Sequence, residues 1–249
     1  PVFLELVKSN WVTHLATNGA GIIHDWEFAF QGQSCEHVGP MVDEGRFGNW
    51  QETGFNINLA LNVGAFENRG YGESVGAMIA NEGLTIPSAE QLEQEVHQHL
   101  RDDPNRSAAA ADLLNVVRKF SLAPGWQPIP HPWKKFSIQA GAFIQGVPFT
   151  GHPMIGHDII YNHPMNHCAS LGRAAERDFL TFAESVSRLE GGVYVSIGSA
   201  VMSPMVFEKS LSISQNLAIQ RGEHIDKHYI MINDLARSTW DWSQGEPPE

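Results

Sequence analysis

Basic residues are scarce in this chain. Lys and Arg together number 16 in 249 residues against 28 Asp and Glu, which leaves a net charge of -12. The cations are scattered, and phosphate backbones are held by clustered Lys and Arg, so nucleic acid is excluded as an expected partner. Cysteine is scarcer still: Cys35 and Cys168 are the only two, with no CxxC between them. That excludes a disulfide framework and points to a reducing compartment, the cytoplasm. No apolar run reaches the roughly 18 residues of a membrane span, so no membrane is expected as a partner. No basic, apolar, small-residue leader opens the sequence. The first residue is Pro1, without Met, the expectation for a processed, trimmed or partial chain.

What is present is the composition of a globular protein, 42% hydrophobic and 18% charged. The chain is expected as a single α/β domain over 1–249, with a helical insertion at about 88–120. Strands are expected at 11–17, 147–150, 193–197 and 229–232. Helices are expected from Ile23 to Phe30, over 55–65, 71–82, 88–100, 107–120, 133–145 and 171–189, and again around Val206, Phe207 and Leu211. Ser88, with Gln91 three residues later, reads as a capping box. Segments 32–49, 123–132 and 152–166 read as loops, rich in Gly, Pro, His or acids. Strands alternating with helices argue for a parallel sheet covered on both faces, which binds ligands beyond the carboxyl ends of its strands.

Four segments follow strands and carry chemistry. The turn Thr17-Asn18-Gly19-Ala20-Gly21 lets the backbone approach a phosphate at a helix N-terminus, and Gly198-Ser199-Ala200 has the same form. Either turn is also compatible with plain packing. Between His152 and His167 lie four histidines, His152, His157, His163 and His167, together with Asp158. These are metal-ligand types, but Pro164 breaks the helical spacing that a zincin motif needs, so no metal is assigned. At the end of the chain, Trp240 and Trp242 flank Asp241. Aromatic faces and carboxylates together cradle an alkylammonium group.

In this order the segments resemble deoxyhypusine synthase, closest to its bacterial synthase-like branch. The likeness is carried by VTHLATNGAGIIHDWE (12–27), GRFGN (45–49), PWKKFSIQAGAF (132–143), IGHDIIYNHP (155–164), LEGGVYVSIGSAV (189–201) and YIMINDLARSTWDWSQG (229–245). It implies a Rossmann-like, three-layer, NAD-binding fold that assembles as a homotetramer. It also implies an NAD-dependent aminobutyl transferase that oxidises a polyamine such as spermidine. The aminobutyl group then passes through an imine on an enzyme lysine to a basic protein acceptor such as a translation factor, or to putrescine in relatives that make homospermidine. By motif, NAD falls to Thr17, Gly19, Gly21, Gly198, Ser199, Asn233 and Asp241. The polyamine falls to Asp158, Trp242 and Glu246.

The departures are specific. Ile23 and His24 stand where the family has acids, and a family histidine is replaced near Ser203-Pro204. No lysine follows Lys227. Either the polypeptide continues past Glu249 or the lysine step is absent, so no catalytic residue is assigned. Three other classes remain open: another NAD-dependent amine or amino-acid enzyme on this fold, a His-rich metal-dependent hydrolase, and a non-catalytic oligomeric binding protein.

Overall fold

The computed structural model describes residues 2–34, 37–235 and 240–244. Among these, no helix is long and apolar enough to cross a membrane. The chain divides into two compact units, 1–182 and 183–249, each described here by itself.

The first unit runs α1 (Val2–Lys8), β1 (Leu15–Asn18), α2 (Gly19–Gln31), α3 (Val38–Asp43), α4 (Gln51–Phe66) and α5 (Tyr71–Asn81). It continues through β2 (Gly83–Ile86), α6 (Ala89–His99), α7 (Pro104–Phe120), β3 (Gly125–Pro128), α8 (Ile138–Gln145) and β4 (Phe149–His152). Helix α9 (Cys168–Ser187) closes this unit and opens the second, which adds β5 (Val193–Ile197), α10 (Met202–Gln220) and β6 (Tyr229–Asn233).

The chain is thus α/β, but the strands pair off as three two-stranded sheets. β1 and β4 are parallel, with Ala16 opposite Thr150 and Asn18 opposite His152. β5 and β6 are parallel across α10, a βαβ unit. β2 and β3 are antiparallel. This third pair departs from the expected all-parallel set. Its strand β3 lies in 123–132, expected as a loop for its prolines, and Pro128 is tolerated at a strand end.

Local chemistry explains most boundaries. Asn18 caps α2 by accepting from Gly21 N at 2.9 Å, so the expected glycine turn is already helix. The capping box at Ser88 and Gln91 forms with both of its bonds. Asp103 caps α7, and Pro104 occupies its first turn, where a missing N–H costs nothing. Several boundaries differ from expectation, among them the start of the helix expected over 133–145, which begins at Ile138. β1 begins at Leu15, and Trp11 is left exposed. β4 begins at Phe149 because Pro148 has no N–H for the ladder and contributes only its carbonyl, to Leu15 N. Segment 32–49 includes α3, a short helix that buries nothing.

Helix α4 is apolar nearly all round and lies at the centre, buried from Ile57 through Ala65. Trp26, Ile22, Tyr71, Ile79, Leu92, Leu113 and Leu171 complete the core around it. Helices α6 and α7, expected as an insertion, are tied by Ser107 Oγ donating to Val96 O at 2.8 Å and by the Arg106–Glu95 pair. In the second unit, Tyr194 stacks on Phe207 at 4.0 Å between centroids. Val193, Val195 and Ile197 of β5 and Ile230, Met231 and Ile232 of β6 remain exposed.

Candidate functional site

The carboxyl ends of β1 and β4 are roofed by residues 153–167, which include a short 3₁₀ turn, Ile159–Asn162. Helix α4 sets the position of that roof. Asn58 is buried and donates through Nδ2 to Ile160 O at 2.9 Å and to Gly54 O at 2.8 Å. Asn62 donates to Asn58 O at 2.8 Å, and Ile160 is fully buried. Gly54 leaves room for His163, whose Cβ would lie 2.7 Å from any Cβ at that position. The roof places Asp158 against the first turn of α2. A Cβ on Gly19 would fall 2.0 Å from Asp158 Oδ2.

Asp158 is 9% exposed, and its Oδ2 is buried with no hydrogen-bond partner. Burial raises its pKa, against the hydrogen bond and charge of His157, whose Nδ1 is 3.4 Å from Oδ1. The hydroxyls of Tyr71 and Tyr161 are likewise buried without partners. Burial raises Tyr71 well above the usual tyrosine value, with the negative charges of Asp158 and Tyr161 adding to it. Tyr161 is pushed up to about 12 by burial first and Asp158 second. Three oxygen-bearing groups therefore sit within electrostatic reach of one another. Buried polar atoms are nearly always satisfied, so three orphans within electrostatic reach of one another single this place out.

A second carboxylate, Asp178 of α9, lies at the N-terminus of α5. Its Oδ2 accepts from Gly72 N at 3.0 Å and Gly151 N at 2.6 Å. Burial nevertheless lifts it to about 7, against those backbone bonds. The folded protein then holds a proton that the unfolded chain releases near the ordinary carboxylate value of about 4. Between those two values unfolding releases a proton, so this group's contribution to stability falls as pH rises and levels off above the folded value. His131 and His152, both lowered to about 4 by burial, act oppositely: stability rises with pH between their folded value and the ordinary imidazole value. Asp178→Asn keeps an oxygen for both glycine N–H groups and removes the ionisation. Denaturant titrations from pH 4 to 8 should show the variant gaining on the wild type by up to about 1.4 kcal/mol per pH unit below neutrality. Parallel curves would mean that Asp178 is charged throughout.

The remaining sequence-expected residues fall out as follows. Gly21 leaves room for Thr17: a Cβ there would lie 2.0 Å from Thr17 Oγ1. The space at both glycines of the first turn is thus taken by this chain's own side chains, and the expected phosphate cradle is lined by a carboxylate. Gly198 has φ +62 with open space around it, and its N–H donates to Asn233 O at 2.8 Å. Ser199 Oγ accepts from Ser203 N at 3.0 Å. Asp241 is exposed and accepts from Ser243 N, Ser243 Oγ and Gln244 Nε2, and the hydrogen bonds to Ser243 and Gln244 lower its pKa. The Trp242 side chain and Glu246 lie outside the described residues. The four histidines take separate partners: Thr150 for His152, Asp158 for His157, Gln51 for His163 and Ser170 for His167. Among the described residues no three His, Cys, Asp or Glu side chains gather as a metal cluster.

The comparisons with known proteins match nothing. No family model, curated protein or solved structure matches this chain. The site therefore stands on its geometry. Sequence reasoning singled out Asp158 and did not single out Tyr71 or Tyr161. Tyr71 follows the break at Gly70, and nothing local sets it apart from an ordinary core aromatic.

Proposed function

We propose that this chain is an NAD-dependent enzyme of the aminoalkyl-transferase type that binds a polyamine such as spermidine at Asp158. The observation that carries the reading is the trio of buried, unpartnered oxygens: Asp158 Oδ2, Tyr71 Oη and Tyr161 Oη. A primary ammonium has three N–H donors and no acceptor, so it is matched in number and in charge. A carboxylate raised by burial gains most from a cation brought into the same low-dielectric place. An anionic phosphate at the first turn is disfavoured by that same carboxylate. The first turn is accordingly assigned to the amine.

NAD, when bound, supplies a hydride acceptor for the carbon beside an amine nitrogen. In this reading Asp158 orients the terminal ammonium, and Tyr71 and Tyr161 exclude water while accepting its remaining N–H groups. The finer fold, a Rossmann-like three-layer parallel sheet, belongs to the proposal. Two parallel strand pairs support it, as do the apolar side chains that β5 and β6 leave exposed, since parallel sheets are ordinarily covered on both faces. A homo-oligomer, a cytoplasmic setting and a basic protein as acceptor complete the reading. The net charge of -12 favours cationic partners.

Calorimetric titration with spermidine, with and without NAD, tests it. Spermidine should bind, and Asp158→Asn should weaken it at least about tenfold, the loss expected for a charged hydrogen bond of roughly 1.5–3 kcal/mol. NAD affinity should hold. If the wild-type protein takes up no spermidine even with NAD present, the amine reading fails. Mass spectrometry of the products separates group transfer from simple amine oxidation.

A further inference from the structure

Three side chains on one face of the β1–β4 pair form a continuous hydrogen-bonded line. His14 Nε2 lies 2.9 Å from Thr150 Oγ1, and Thr150 Oγ1 lies 3.1 Å from His152 Nε2. Thr150 is fully buried, whereas His14 and His152 are half-buried. Phe182 meets both imidazoles edge to face, each at 5.3 Å between centroids. His152 ends β4 opposite Asn18, the residue that caps α2 beside the Gly19–Asp158 contact. The line therefore runs from a partly exposed imidazole to the edge of the candidate site.

We propose that His14, Thr150 and His152 form a proton relay between solvent and the carboxyl end of β4. A threonine hydroxyl has one proton to give and lone pairs to accept with, so one ring receives its hydrogen bond and the other donates to it. That arrangement passes a proton without any heavy atom moving far. A proton arriving on Nδ1 of His152 makes an imidazolium. Its Nε2 proton moves to Thr150 Oγ1 while the Thr150 hydroxyl proton moves to His14 Nε2. The N–H and O–H bonds broken equal those formed. His152 is left neutral with its proton on Nδ1, and the positive charge rests on His14, which returns a proton to solvent. Burial explains why a relay suits this position: it holds His152 at about 4, so a proton taken there cannot stay. The existence of the relay is independent of the amine reading. Its use, to remove a proton from the bound amine, rests on that reading.

The test uses the full chain labelled with ¹⁵N-histidine, and reads the exchange of the His152 ring N–H with solvent by NMR at low temperature. Thr150→Val keeps the shape and removes the hydroxyl, and should slow exchange at least about tenfold, the scale of a lost acid–base step. Thr150→Ser should restore it. His14→Phe, which leaves the Thr150–His152 bond in place, should slow exchange as the Val variant does, and it serves if the Val variant fails to fold. Exchange that stays within about twofold of wild type in these variants overturns the relay. Where the wild type turns over spermidine with NAD, Thr150→Val should lower kcat and leave KM in place. Slowed exchange with unchanged kcat would overturn the relay's part in the amine reaction. A wild type that does not turn over spermidine removes the amine use and leaves the relay to the exchange result.

Discussion

Trp26→Ala should destabilise the first unit by about 3–5 kcal/mol, the loss typical of deleting a buried indole. Trp26 is fully buried on α2, stacks on Phe30 at 4.7 Å between centroids, and meets the edge of His131 at 6.0 Å. Truncation removes those contacts and leaves a void that α2 cannot readily close, because the helix is held at its start and at its middle. Asn18 caps its start, and Asp25 ties it to α8 by accepting from Ser137 Oγ at 2.6 Å and Ile138 N at 2.8 Å. Thermal unfolding should fall by roughly 2–4 °C per kcal/mol for a protein of this size. Trp26→Phe, which keeps an aromatic ring, should lose much less. An alanine variant within about 1 kcal/mol of the wild type would mean that this core is not close-packed.

Gly72→Ala should cost about 3 kcal/mol or more, although it adds a single methyl group. The new Cβ would lie 2.1 Å from the backbone oxygen of Phe149 and 2.8 Å from its carbonyl carbon. No rotamer change relieves a clash with backbone. Relief requires α5 to move from β4, and that movement breaks the Gly72 N–H bond to Asp178 and disturbs Gly151 N on the same oxygen. The contrasting substitution is Gly172→Ala, at an exposed position of α9 with nothing within 4 Å of its Cβ position. It should stabilise by roughly 0.5–1 kcal/mol through helix propensity alone. Denaturant midpoints measure both. Similar small shifts for the two variants would show that the α5–β4 approach is looser than drawn.

The same contrast shows how far local reasoning reaches. Both glycines fall in the first turn of an expected helix, and no rule about propensity separates the space around them. One faces a strand backbone and the other faces open space. The two glycines of the first turn make the same point. Gly19 and Gly21 read locally as room for a phosphate, yet the space beside them is filled by Asp158 and Thr17. Asp158 lies far along the chain and is brought there by a roof that Asn58 helps to hold at Ile160.

By itself the sequence determined the α/β alternation, the capping box at Ser88, the helix break at Gly70 and Gly72, and the presence of acids and histidines after strands. These follow from rules that act within a turn or two of helix or along a single strand, where the interacting groups are covalent neighbours. Tertiary structure alone decided which strands pair, which carboxylate faces Gly19, and that Tyr71 and Tyr161 lie within reach of its charge. It also decided that His14 reaches Thr150 across a separation of 136 residues. The physical reason is distance along the chain. A cap or a turn is fixed by torsions of adjacent residues, whereas a buried hydrogen bond between remote segments exists only where close packing of many side chains brings its two ends within about 3 Å.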